Sequence, residues 1–179
     1  MSWDRGMTGK ARTIILAAGA ALTASTFAAT AAELHRGRCH MDMCTWYSVE
    51  EKEPAGSNAQ ATLFKVTLKI WTSRHRGGNY DKKASRTGGE ASTFYFNCSK
   101  AKPAIIESQD GKWMAAFLNL AEPAGFQELA VMEYFVVCHA FDVDKPSTRF
   151  GVAARKFGYR KIADAPDSIA LSKPEDILR

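Results

Sequence analysis

An export signal constrains this chain more than any other feature of its sequence. Residues 1–32 read MSWDRGMTGKARTIILAAGAALTASTFAATAA. A basic start with Arg5, Lys10 and Arg12 precedes an uncharged run from Thr13 to Ala32. The run closes on Ala29-Thr30-Ala31, the small-residue pattern of a signal-peptidase site. Cleavage is expected after Ala31 or Ala32. Met1 and Met7 are both candidate starts, since Asp4 is foreign to a basic leader. The run is rich in Ala and Thr rather than Leu, which favours a cleaved leader over a retained anchor. The expected product is a single exported β-rich domain, residues 33–179, with a C-terminal tail from about residue 159. It has no membrane span after cleavage and works in the periplasm or outside the cell. A domain of this size buries a core of its own, so disulfides add to packing rather than replace it.

Export also sets the chemistry of the cysteines. Cys39, Cys44, Cys98 and Cys138 all follow the leader. An even number of cysteines in an oxidising compartment reads as two disulfides. Three pairings are open. Cys39–Cys44 with Cys98–Cys138 is preferred, because the first two are close in sequence and the others end two predicted strands. Charge excludes one class of partner. The whole chain carries 24 Lys and Arg against 19 Asp and Glu. Without Arg5, Lys10, Arg12 and Asp4 the counts are 21 and 18, a net charge of +3. That field is too weak for a nucleic-acid binder.

Periodicity points to strands. In QATLFKVTLKIW, residues 60–71, Phe64, Val66, Leu68 and Ile70 alternate with Lys65, Thr67 and Lys69. Period two is a half-buried strand. Residues 44–50 (CTWYSVE) and 92–99 (STFYFNCS) are two more, rich in aromatic and β-branched residues. Residues 103–118 read as a hairpin turning at Asp110-Gly111, both of which tolerate positive φ. Residues 129–140 (LAVMEYFVVCHA) form the longest apolar run and are expected to be a central strand. A helix is predicted over 147–158, where Phe150, Ala153, Ala154 and Phe157 recur at helical spacing before Gly158. A last turn is predicted at Pro174 to Leu178, with Pro at its start. The fold class is therefore α+β, mostly β. A largely antiparallel sheet carries one or two short helices near the C-terminus and is stabilised by disulfides.

Four short blocks follow one another in an order that resembles a family of small exported four-cysteine proteins of Gram-negative bacteria. They are Cys44-Thr45-Trp46-Tyr47; Ser73-Arg74-His75 with Tyr80; Phe96-Asn97-Cys98-Ser99 with Pro103-Ala104-Ile105-Ile106; and Tyr134 to Cys138-His139. The resemblance spans roughly residues 39–140. It implies an exported, disulfide-bearing fold and transfers no activity and no catalytic residue.

Three stretches carry candidate chemistry. Trp71 to Gly89 reads as a long Gly-rich connection with Arg74, His75, Arg76, Tyr80, Lys82, Lys83 and Arg86. Against these cations stands Asp81 alone. Such a loop suits phosphates or carboxylates of an envelope polymer, with Trp71 and Tyr80 placed to flank a ring. A solvated loop is its plain alternative. Cys39, His40, Met41, Met43 and Cys44 offer soft sulfur and imidazole donors of the kind copper(I) prefers. That reading competes with a disulfide, because a bridged pair supplies no thiolate. Cys138-His139 suggests a nucleophile beside a base, but neighbours on a strand face opposite ways. Asp142-Val143-Asp144 lacks the glycine and distal glutamate of a calcium loop. No catalytic residues or cofactor are assigned.

The expected function is a non-enzymatic, periplasmic or secreted binding domain that holds an unidentified envelope component or protein through its basic loop. A copper-binding protein and an uncharacterised enzyme are the alternatives. The sequence sets no oligomeric state.

Overall fold

The computed structural model describes residues 32–143, 146–160 and 168–179. The predicted leader lies outside these residues apart from Ala32, and so does Asp144. Seven strands form one sheet in chain order, each antiparallel to its neighbour. They are β1 (Leu34–His40), β2 (Met43–Ser57), β3 (Ala61–Arg74), β4 (Arg86–Ser99), β5 (Ala104–Gln109), β6 (Lys112–Phe117) and β7 (Ser168–Leu171). Helix α1 (Glu128–His139) and helix α2 (Pro146–Lys156) follow β6, and a short 3-10 helix, Pro174–Leu178, follows β7. The fold is α+β and mostly β, as expected. No helix among the described residues is long and apolar enough to cross a membrane.

Strand β3 shows why the sheet has two unlike faces. Val66 and Leu68 are fully buried, and Phe64 and Ile70 pack beside them. Tyr47 of β2 and Phe96 of β4 join them in the main core under α1. The alternate residues of β3 point to the other face. There Leu63, Ile106 of β5, Ala115 of β6 and Ile177 make a second, smaller core. The C-terminal tail builds it: β7 pairs with β6, and Pro174–Leu178 lies over the sheet, held by Asn58 Nδ2 donating to the Leu178 carbonyl at 2.6 Å. Tyr159, at the start of the tail, is buried as well.

Two hairpin turns follow one rule. Asp110 (φ 50°) and Gly111 (φ 75°) join β5 to β6, as the Asp-Gly pair predicts. Met41 (φ 48°) and Asp42 (φ 62°) join β1 to β2 in the same left-handed conformation without a glycine. The Cys39–Cys44 disulfide bridges directly opposed residues two positions from the middle of that turn.

One expectation is overturned. The run 129–140 is a helix, not a central strand. An unbroken apolar run has neither period two nor period 3.6, so its pattern does not choose between the two. Its length of twelve residues fits a helix better than a strand. Every residue of α1 is buried or half-buried, as an all-round apolar helix must be. The preferred pairing Cys98–Cys138 is present, but it joins a strand to this helix rather than two strand ends. Together with Cys39–Cys44 it leaves no free cysteine among the described residues. The helix expected over 147–158 is α2, ended by Gly158 at φ 75°.

A carboxyl group sits inside α1. Glu133 is 3% exposed, and its Oε1 has no hydrogen-bond partner among the described residues. Burial, with the Glu107 carboxylate nearby, pushes its pKa up to about 8. The folded chain therefore holds it protonated at neutral pH, while the unfolded chain ionises it near its ordinary value of 4.5. Its contribution to stability is complete below that value and is lost as pH rises through about 8.

Two outcomes are expected. Stability should fall between pH 5 and pH 8 by a few kcal/mol, and Glu133→Gln should flatten that fall in urea titrations at several pH values. An unchanged pH profile in the variant would refute the assignment. Replacing Cys98 and Cys138 by Ala should cost about 4 kcal/mol, and replacing Cys39 and Cys44 about 2 kcal/mol, because the closed loops differ in length. Equal losses on chemical denaturation would contradict this account.

Candidate functional site

The two stretches singled out by sequence, the Cys39–Cys44 segment and the basic connection, form one end of the sheet. Asp42 joins them. The His75 N–H donates to the Asp42 carbonyl at 2.6 Å, and the Gly78 N–H donates to Asp42 Oδ1 at 2.9 Å. The tip of the β1–β2 hairpin thus holds the loop that follows β3. This loop is shorter than the sequence suggests. Trp71 and Arg74 belong to β3 and Arg86 opens β4, so only residues 75–85 connect the two strands. The glycines at 88 and 89 lie within β4, where the register shifts opposite Ile70 and Trp71.

A fixed aromatic floor lies beside the basic loop and beneath Arg86. Trp46 and Trp71 are directly opposed across β2 and β3, and Ser73 is opposed to Arg86 across β3 and β4. Opposed residues share a face, and this is the face away from α1. The indole N–H of Trp46 donates to Ser73 Oγ at 2.7 Å. Ser73 Oγ in turn lies 2.9 Å from His75 Nε2, and His75 Nδ1 lies 3.2 Å from the Asn79 carbonyl. That carbonyl can only accept, so Nδ1 carries a proton, and in the neutral ring Nε2 accepts from Ser73. Tyr80 packs edge-on against His75, with ring centroids 5.8 Å apart. Arg86 lies over Trp46, its guanidinium carbon 4.2 Å from the ring centroid. Trp71 lies across β4 at Gly89: a Cβ there would stand 2.2 Å from the indole nitrogen. Gly89 also has φ 97°, so both its backbone and its neighbour require glycine.

The charges around this floor are unpaired. Arg74, Arg76, Lys82, Lys83 and Arg86 are exposed. None of the five pairs with a carboxylate among the described residues. Nearby acids are engaged elsewhere: Asp81 is 3.8 Å from Arg36, and Glu50 is 3.0 Å from Lys69. His75, expected as a loop residue open to a ligand, is instead buried as a structural link. The sequence does not mark Trp46, Ser73, Asp42 and Gly89 as binding residues, because their roles depend on cross-strand register. The blocks Cys44 to Tyr47 and Ser73 to His75 of the resemblance are the nearest signal, for Trp46 and Ser73.

The other candidates are occupied. Cys39 and Cys44 share a disulfide, so the soft-metal reading loses both thiolates, while His40, Met41 and Met43 stay exposed at the tip. Among the described residues no group of three His, Cys, Asp or Glu side chains is placed to hold a metal ion. Ser73 and His75 have the spacing of a nucleophile and base, but Ser73 is 2% exposed and already takes the Trp46 N–H. Cys138 is bridged. His139, its neighbour on a helix rather than a strand, is hydrogen-bonded to the Tyr159 hydroxyl at 2.8 Å and stacked on Phe157. Burial, reinforced by Lys100 and Lys52, pushes its pKa down to about 4. A cavity of about 380 Å³ lies beside the C-terminal end of α1, lined in part by His35, Lys52 and Asp142. Within it, His35 Nδ1 is 3.0 Å from Asp142 Oδ2, and Lys52 donates to the Val137 carbonyl.

Gly89→Ala is expected to cost roughly 2–3 kcal/mol in urea unfolding and to shift the tryptophan emission as Trp71 is displaced. Wild-type stability and emission in the variant would show that the indole does not rest on this backbone.

No family model, curated protein or solved structure matches the chain, so the site is read from its own geometry.

Proposed function

We propose that this chain is a non-enzymatic binding domain of the Gram-negative cell envelope, periplasmic or secreted, that holds an anionic partner on the basic end of its sheet. One observation carries the reading: five exposed cations stand without carboxylate partners among the described residues, on and beside a loop that Asp42 fixes in place. An unpaired charge on an ordered frame costs less to engage than one on a free loop, because less side-chain and backbone freedom is lost on binding. The leader pattern and the two disulfides support an oxidising compartment. The resemblance to exported four-cysteine proteins of Gram-negative bacteria supports the envelope. The copper alternative needs Cys39 and Cys44 as thiols, and their pairing removes that donor set. The enzyme alternative has less support, since Ser73–His75 and Cys138–His139 are both closed to substrate.

The test is co-sedimentation with isolated envelope fragments. The wild-type chain should pellet with them at low salt and be released as salt rises. A triple reversal, Arg76→Glu with Lys82→Glu and Lys83→Glu, should lower capture by at least about tenfold without changing thermal stability. Undiminished capture by the stable triple variant would sink the reading.

A further inference from the structure

We infer that the anionic partner is an acidic polysaccharide, with sugar rings stacked on Trp71 and Tyr80 and acid groups paired to Arg76 and to Arg86, which Trp46 holds from beneath. This inference rests on the binding reading above and names the class of ligand for that site.

The aromatic geometry distinguishes a glycan from other anions. A phosphate or carboxylate alone needs only the cations. The site adds half-exposed aromatic rings at Trp46, Trp71 and Tyr80. Trp71 and Trp46 are opposed across two strands, Ser73 ties Trp46 to His75, and Tyr80 packs on His75.

Both indoles are held in place. Trp46 is tied to β3 by its bond to Ser73, and Trp71 rests on the bare backbone of Gly89. A lipid surface is engaged by apolar side chains that project from the protein; of the exposed methionines at this end, Met41 sits in the hairpin turn and Met43, opposed to Arg74, faces the other side of the sheet. An immobilised indole instead suits the C–H face of a sugar ring, and it has little conformational freedom left to lose. The small apolar core that covers the other end of this face involves Leu63 and the 3-10 helix Pro174–Leu178. Charge complementarity supplies the acid. Arg76 lies in the loop and Arg86 opens β4, opposed to Ser73 on the face of the rings, with its guanidinium over Trp46. Arginine presents paired donors that match a carboxylate or a phosphate. Such acid groups occur on glycans as uronic acids or as sugar phosphates, and the floor accepts either.

Tryptophan fluorescence and calorimetry on the residue 33–179 chain, purified after export, test this with four probes. Hexagalacturonate carries carboxylated sugars, a phosphorylated mannan carries phosphorylated ones, cellohexaose is a neutral glycan, and polyglutamate is an acidic chain without sugar. At least one acidic glycan should bind at least tenfold more tightly than both cellohexaose and polyglutamate. Trp71→Ala should weaken that binding at least tenfold and leave polyglutamate binding unchanged. Tyr80→Ala, in the loop and outside the sheet, should weaken it in the same direction and serves if Trp71→Ala fails to fold. If polyglutamate binds as well as both glycans, and neither substitution discriminates, the glycan inference is wrong while the anionic-site reading stands. If no polyanion binds and envelope capture is also insensitive to charge reversal, both are wrong.

Discussion

Helix α1 has no fully exposed residue, and the rest of the domain is arranged to cover it. A helix apolar on every side must be enclosed. The sheet supplies one wall through Tyr47, Val66, Leu68 and Phe96. The segment that follows supplies another through Phe141, Phe150, Phe157 and Tyr159. The Cys98–Cys138 disulfide fixes the helix to β4, and the Tyr134 hydroxyl receives the Ser99 N–H of the same strand. Tyr134 and Tyr159 are in turn hydrogen-bonded at 3.1 Å. Glu133 remains inside because burial keeps it neutral, which makes the core sensitive to alkaline pH in a way that apolar packing is not.

Committing one face of the sheet to α1 leaves the other face free for a different use. At one end the C-terminal tail covers it with a small core. At the other, β2, β3 and β4 extend to the hairpin tip and the basic loop, and here the exposed side chains are aromatic and cationic. Rigidity at that end has local causes. The Cys39–Cys44 disulfide closes the hairpin, Asp42 holds the loop, and the Trp46–Ser73–His75 chain ties sheet to loop. The four blocks of the sequence resemblance meet in space two by two. Trp46 with Ser73, His75 and Tyr80 makes the aromatic floor, while Cys98 and Ser99 with Tyr134 and Cys138 make the anchor of α1.

Much of the architecture was legible because it rests on local rules. The alternation in β3, the Asp110-Gly111 turn, the α2 periodicity and the Pro174 turn each follow from side-chain period or backbone preference. β1 and β7 were not legible. LHRGRCH carries too few apolar residues to alternate clearly, and SIAL is short; both exist because a neighbouring strand offers an edge to pair with. The run 129–140 is ambiguous for the opposite reason, since its uniform hydrophobicity erases any period. At the site, the basic residues are visible from composition, but Gly88 and Gly89 look like loop glycines and make the connection seem longer than it is. They are a strand irregularity under Trp71.

The sequence alone determined the mostly antiparallel α+β class, the four cysteines for two disulfides and the clustering of cations between Trp71 and Gly89. Each depends on residue type, spacing along the chain or charge. Only the tertiary structure decided that α1 is a helix, that the hairpin tip and the basic loop are one surface, and that Trp46 and Trp71 lie side by side. These depend on strand register and on which side chains a folded neighbour covers, and spacing along a single chain does not encode contact between residues a full strand apart.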